Sequence, residues 1–492
     1  MTLRRLASFV LLASLSLPGM ADQLRYLDDA NIQPDAPRVE GNFPKVALTE
    51  TQSPNATPEQ WSKYDAIGAK GGMAQLIADA QAINPAVKFH FSFHPRSYLG
   101  YIHPDPCQIA FGFPFNQTAA ATQGCAIYAG HWLYRAGTSL ASSISATDTN
   151  IPVADATGLA AGDYAIIYNA PAGSFANPEH VRIASVDTSV TPNRVTVDIR
   201  GFKSNASAHG ANSILAAHEV GRGGDKRNWA FNLATNAPRD ANNLTVAQVM
   251  VNWIPANWSK NSRGQETGVR VDSVYFDEDA YILLAQRADV NNDLLIDNGI
   301  SPSGVHWWGE GLEGFYQALR NRVGANVGIV GGWRETRGLA SLNGTQMENW
   351  LVTGDDFPFH PEYQGNGGAL SQFYNYQIHT QFHAPADGYT ETLTKYPSRT
   401  YPGTVRTGPN PPVPSGNESF RFGFGMTLLS DGHYARQNSD VHPDPWYDEY
   451  AVDVTPGSSN YGKALASIPN NESQIRANNC LLYTSPSPRD RG

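Results

Sequence analysis

The stretch Val269–Asp279 reads V-R-V-D-S-V-Y-F-D-E-D, and its reading decides the fold. Val271, Val274 and Phe276 are apolar and strand-forming, and three acids follow at once. That pattern predicts a buried strand ending in carboxylates. In a barrel of alternating strands and helices, chemistry is placed at the C-terminal strand ends. Asp277, the first acid after the apolar run, is therefore the first candidate for a catalytic group. The plainer alternative is that these acids cap the next segment or hold a structural ion.

Around this stretch the chain keeps a strand–helix rhythm. Strands are predicted over 43–48, 64–69 and 87–93. Helices are predicted from Thr57-Pro58-Glu59-Gln60, with Thr57 as cap, and over 73–83, where Asn84-Pro85 ends the helix. Val87–Phe93 (V-K-F-H-F-S-F) alternates strictly. After Gly224 the rhythm resumes. A strand is expected over 229–234, a helix over 245–258, a strong helix over 305–323, a buried strand over 326–332 and a strand region over 342–351 that carries Glu348. Residues 369–383 and 420–429 are expected to be helical, 384–415 a long Pro- and Tyr-rich loop, and 431–435 a last strand. The sum predicts an α/β chain, a (β/α)8 TIM-type barrel.

One segment breaks the rhythm. From Ala136 to His218 the chain is rich in Ser, Thr, Ala and Val, with short strands over 164–168, 181–186 and 195–199 and no helical period between them. It reads as a small all-β domain inserted in the barrel. Arg200-Gly201 and Ala208-His209-Gly210 resemble a β module of bacterial and phage surface proteins, for which carbohydrate binding, a spacer or a cover over the cleft are the roles to weigh.

The ends carry their own signals. Arg4 and Arg5, the apolar run Leu6–Leu17 and Gly19-Met20-Ala21 predict a signal peptide over 1–21 and a secreted or periplasmic protein. Cys480–Asp490 (C-L-L-Y-T-S-P-S-P-R-D) resembles translated sequencing adapter, so 480–492 are expected to be an artefact and the C-terminus truncated near Asn479. The expected organisation is 22–135 for the first part of the barrel, 136–218 for the β insertion and 219–479 for the second part. Without the tail, Cys107 and Cys125 remain. An even pair in an exported chain predicts a disulfide, worth about 3 kcal/mol by loop closure, with two free thiols as the alternative.

Composition bounds the function. The chain has 492 residues and only 16% charged residues against 41% hydrophobic, which suits a globular protein with a large core. A net charge of −10 without a basic run argues against a nucleic-acid partner. No run after the leader is apolar enough for a membrane span.

A pair of carboxylates at a barrel mouth suits glycosidic-bond cleavage, one protonating the leaving oxygen and the other attacking the sugar carbon or activating water. Asp277 and Glu348 form the candidate pair. His94, Asp279, Trp333 and Asp431, at or near predicted strand ends, are candidate substrate-binding residues. Asp289-Val290-Asn291-Asn292-Asp293 with Asp297 has calcium-loop spacing, although Leu294 and Ile300 stand where a complete EF-hand loop has Gly and Glu. Asp289, Asn291, Asp293 and Asp297 are thus candidate ligands of a structural calcium, with a solvated turn as the alternative. No cofactor is required.

V-D-S-V-Y-F-D-E-D (Val271–Asp279), D-V-N-N-D (Asp289–Asp293), W-W-G-E-G (Trp307–Gly311), L-N-G-T-Q-M-E-N-W (Leu342–Trp350) and W-Y-D-E-Y (Trp446–Tyr450) resemble, in their order and spacing, bacterial glycoside-hydrolase-like barrel proteins. The resemblance covers most of residues 40–465 outside the β insertion. It implies a hydrolase of O-glycosyl bonds acting on an oligo- or polysaccharide. Related barrels such as the α-galactosidase group place a nucleophilic Asp at the end of the fourth strand, the place expected for Asp277. They use a second Asp as acid where this chain offers Glu348, which leaves a retaining or an inverting outcome open. Two other classes compete: a carbohydrate-binding or cell-surface protein on a barrel without catalysis, and a different hydrolase or lyase. Neither G-x-S-x-G nor H-E-x-x-H occurs.

Overall fold

A computed structural model describes residues 46–51, 57–69, 73–95, 128–202, 204–220, 226, 229–260, 265–276, 283, 285, 287–332, 341–348, 393–396, 427 and 432–437. The fold is mixed α/β and divides into two compact units: 1–92 with 269–275 and 325–492, and 93–268 with 276–324.

The first unit is built on a curled parallel sheet. Its strands are β1 (Val46–Thr51), β2 (Ala66–Ala69) and β3 (Lys88–Phe93), with helices α1 (Pro58–Trp61) and α2 (Ala74–Ile83) between them. β11 (Ser273–Phe276), β13 (Gly328–Gly331), β14 (Gly344–Glu348), β15 (Leu393–Tyr396) and β16 (His433–Gln437) complete it. The strands neighbour one another in the order β1-β16-β15-β14-β13-β11-β3-β2, and β1 pairs back to β2. α1 begins as its sequence dictates. Thr57 accepts the N–H of Gln60, and the Gln60 side chain accepts the N–H of Thr57, closing a capping box. Asp272 fastens β11 to β3, its N–H donating to Phe89 O at 3.0 Å and its carboxylate accepting Phe89 N–H at 2.9 Å. Arg270 adds bonds to Pro85 O and Val87 O.

The alternation of β3 and β11 sets two faces. Ala47, Ala66, Tyr275 and Val330 cluster on the concave side, although β3 separates the strands of Ala66 and Tyr275. Phe89, Phe91 and Phe93 take the opposite side of β3 from His90 and Ser92. Phe93 and Phe276, the last residues of their strands, belong to the second unit.

The second unit contains a six-stranded antiparallel sheet. Its strands are β5 (Thr138–Ser139), β6 (Asn150–Val153), β7 (Tyr164–Asn169), β8 (Ala176–Asp187), β9 (Asn193–Ile199) and β10 (Ile214–Ala217), in the order β5-β10-β7-β8-β9-β6. Ile151, Val153, Ala165, Ile167, Val181, Ile183, Val195, Val197 and Leu215 form its core. β4 (Tyr134–Arg135) pairs with β12 (Ala288–Asp289). Helices α3 (Val246–Asn257) and α4 (Trp307–Val323) pack on each other in the same unit. Trp253 of α3 lies 5.8 Å from Phe93, and Phe315 of α4 lies 5.2 Å from Phe276, ring to ring.

Two expected elements differ. Residues 229–234 form isolated bridges, Trp132 with Phe231 and Val220 with Trp229, rather than a strand. The reason is that Trp229 and Phe231 are used as packing: Phe231 stacks on Trp132 at 4.7 Å, and Trp229 on His218 at 3.5 Å. The region expected as a loop over 384–415 contains strand β15, which pairs with β14 and β16 on either side.

Candidate functional site

Register carries the concave face around the sheet. Tyr275 is opposite Val330, and Val330 opposite Gly344. Two residues on, Gln346 is opposite Leu393, which is opposite His433. Ala47 is opposite Ala66, and Gly68 opposite His90. Side chains in register share a face of a pleated sheet. His90, Tyr275, Gln346 and His433 therefore all belong to the concave side, as do Ser92 and Ser273 by the two-residue period. All six are buried. The His90 and His433 rings lie 6.4 Å apart at 77°.

This lining is chemically unusual. Parallel barrels fill their interiors mainly with Val, Ile and Leu. Two imidazoles, an amide, a phenol and two hydroxyls on one concave face therefore form a set of polar groups able to position a ligand rather than merely fill space.

The predicted catalytic residues stand as follows. Glu348 is the last residue of β14, its Cα paired with that of Lys395 on β15, and the strand period places position 348 on the same face as positions 344 and 346. Asp277 follows the last residue of β11 and lies outside the described residues, as do Asp279, Trp333, Asp431, Cys107 and Cys125. The signal-peptide and adapter segments lie outside them too. His94 follows β3 directly and is partly buried. The sequence reading gave His90, Tyr275 and Gln346 no place at the site. The signal was present: counting two residues down each strand from Asp277, Glu348 and His94 reaches Tyr275, Gln346 and Ser92, with His90 two further on.

The residues with calcium-loop spacing do meet in one loop. Asp289 accepts the N–H groups of Asp293 at 3.1 Å and Leu294 at 2.7 Å. Asn291 accepts Asp293 N–H, and Asp293 accepts Leu295 N–H. Asp297 accepts Val290 and Gly299 N–H. Leu294, at the sixth position, has φ +74, the left-handed backbone for which such loops use glycine. Burial outweighs the two N–H bonds to Asp289 and, with the charges of Asp293 and Asp297, pushes its carboxyl up to about 7. Burial also raises Asp297. As placed, these side chains serve backbone N–H groups. Among the described residues, no three His, Cys, Asp or Glu side chains converge where they could hold a metal ion.

The motif residues of the antiparallel sheet have a structural role. Glu179 is fully buried and receives Arg200 in a fork, Nε at 2.5 Å and Nη2 at 2.8 Å. Gly201 N–H and Ser207 N–H donate to it at 3.0 Å, and His209 Nε2 lies 3.1 Å away. Arg200, Gly201 and His209 are thus tied together by one carboxylate.

No family model and no curated protein matches the chain. Among solved structures, it is similar to the Gp54 tailspike of Acinetobacter baumannii bacteriophage AP22, solved in complex with A. baumannii capsular saccharide. That match has 14% identity over 36% of this chain and a TM-score of 0.14, and it spans 20% of the tailspike's length. It is also similar to pyruvate kinase of Cryptosporidium parvum, with 9% identity, 84% of this chain, 68% of the kinase and a TM-score of 0.30. A third similarity is to sucrose 6F-phosphate phosphorylase of Thermoanaerobacter thermosaccharolyticum, with 9% identity, 80% of this chain, 75% of the enzyme and a TM-score of 0.31. Likenesses this distant carry no argument about function. Among the described residues no helix is long and apolar enough to cross a membrane.

Proposed function

We propose that the chain is a secreted or periplasmic glycoside hydrolase on a (β/α)8 TIM-type barrel of the bacterial glycoside-hydrolase-like kind, with Asp277 and Glu348 as its carboxylate pair and an oligo- or polysaccharide as substrate. The observation that supports this reading is the buried polar lining of the concave face, which leads along β14 through Gln346 to position 348. In this reading one carboxyl group protonates the glycosidic oxygen. The other attacks the anomeric carbon or takes a proton from water. His94, Asp279, Trp333 and Asp431 contact sugar at the rim.

The test is hydrolysis of a panel of glycans, with sugar binding measured alongside. Asp277→Asn and Glu348→Gln each lower kcat by about 10²–10⁴-fold and leave binding intact. If both variants bind as the wild type does, and the wild type turns over no glycan, the carbohydrate-binding reading replaces this one. The anomer of the first product then assigns retention or inversion.

A further inference from the structure

The second unit holds a pocket of about 260 Å³, lined by Thr138 of β5, Asp155 and Thr157 of the turn after β6, Arg287, and the loop Leu294–Ile296. Arg287 is only partly buried, but its Nε is enclosed and has no hydrogen-bond partner among the described residues. Its guanidinium runs close over Gly158, where a Cβ would stand 2.4 Å from Nε. At φ +88 that position already favours glycine. The backbone thus makes room for an arginine that then forms no bond through Nε.

Asp155 lines the pocket as well. Its carboxylate accepts the N–H of Thr157 at 2.9 Å. That bond and the Thr157 hydroxyl hold it below the usual carboxylate range, with Arg287 contributing less. It is a fixed anion. Leu295, 67% exposed, and Ile296, 45% exposed, add apolar surface to the lining of the same pocket.

We propose that this pocket binds a single carboxylate-bearing sugar unit, a uronate, with Arg287 taking the carboxylate. A guanidinium matches a carboxylate as a two-bond fork. Asp155 accepts hydroxyl donors but repels a ligand that is only anion, which disfavours phosphate. A simple alkanoate satisfies Arg287 and the Leu–Ile wall but offers Asp155 and Thr157 nothing. A neutral hexose leaves the guanidinium unmet. A sugar acid supplies a carboxylate, hydroxyls and a C–H face at once, and the volume suits one ring. The site does not depend on the barrel carboxylates, so its test can fail or succeed independently of theirs.

The experiment is titration of the full chain with D-galacturonate, D-galactose and hexanoate, followed by ligand-observed NMR. Galacturonate binds, and galactose and hexanoate bind at least about tenfold more weakly, as expected for loss of a charge-assisted fork or of the hydroxyl partners. Arg287→Gln weakens galacturonate by about tenfold or more. Leu295→Glu, at an exposed position that leaves the fold intact, also weakens it by placing a charge against the carboxylate. Asp277→Asn leaves it unchanged. Equal binding of hexanoate, unchanged binding in both Arg287→Gln and Leu295→Glu, or no binding of galacturonate at tens of millimolar concentration would overturn the proposal.

Discussion

Leu294 shows how a single residue can be held in a backbone its side chain disfavours. The loop needs a left-handed residue between Asp293 and Leu295, so that Asp289 can receive two successive N–H groups. A Cβ in that region costs about 1 kcal/mol or more. The side chain is only partly buried and recovers little by packing. Leu294→Gly therefore stabilises the protein by up to about 1 kcal/mol in urea unfolding, the glycine's own chain entropy offsetting part of the gain. Leu294→Ala keeps the strain and gives no such gain. If the glycine variant proves less stable than the alanine one, strain at this position is not the governing term. The acid spacing was legible in the sequence. The left-handed leucine was not, because nothing local favours it; only the bonds around Asp289 hold it there.

Among the elements, α4 offers a matched pair of glycines. Its ends are ordinary: Glu310 in the first turn, Arg320 and Arg322 in the last, and Gly324 beyond at φ +78. Inside, a Cβ on Gly311 would stand 1.9 Å from the carbonyl oxygen of Leu233, whereas one on Gly314 meets nothing within 4 Å. Gly311→Ala must push the helix away from the 233–234 backbone and costs about 3 kcal/mol or more. Gly314→Ala gains about 0.5–1 kcal/mol from helix propensity. Thermal melts of the two variants check this, and similar shifts in both would remove close backbone approach as the explanation. The W-W-G-E-G motif thus has a packing reason at its second glycine. Helices with a clear period, such as α2 and α4, could be read from sequence to within two residues. β15 could not. Its residues, L-T-K-Y, lack an apolar run and lie among Pro- and Tyr-rich sequence, and its place comes from backbone pairing with two neighbours.

At the scale of the molecule, acid acts on one region first. Burial alone would raise Glu179, but the bonds from Arg200, His209 and Ser207 and the Arg200 charge outweigh it and hold its carboxyl at about 2. A depressed carboxylate contributes stability that is present above its unfolded value near 4.5 and lost as pH falls toward 2, in this case about 3 kcal/mol. Burial lowers His180 to about 4, against a smaller opposing effect of Glu179. Burial also lowers His218 well below its ordinary value, with the charge of Arg135 acting in the same direction. His180 Nδ1 lies 3.2 Å from His218 Nε2, and both rings stack on Trp229. These histidines stay neutral when folded, so their contribution is present above 6.5 and is lost as pH falls through 4. Both effects have the same sign. Tryptophan fluorescence should report loosening around Trp229 as pH falls from about 6.5 to 2, and Trp229→Phe should remove most of that signal. Glu179→Gln should leave Arg200 poorly paired, destabilise at pH 7 by about 3 kcal/mol and flatten the response below pH 4.5. A pH-independent loss would show that the charge of Glu179 is not what matters.

By itself the sequence determined the local periods and their faces. It specified the alternation of β3, the strand before Asp277, the helix cap at Thr57 and the break in rhythm over 136–218. Those depend on residues two to four apart, whose geometry is fixed by strand or helix. Only the tertiary structure decided that His90 and His433, more than three hundred positions apart, share one concave face. It alone joined Glu179 to Arg200 and His209 and left Arg287 against a pocket. These arrangements are set by register around a curled sheet and by which buried charge finds which partner, and neither is contained in the spacing of neighbours along the chain.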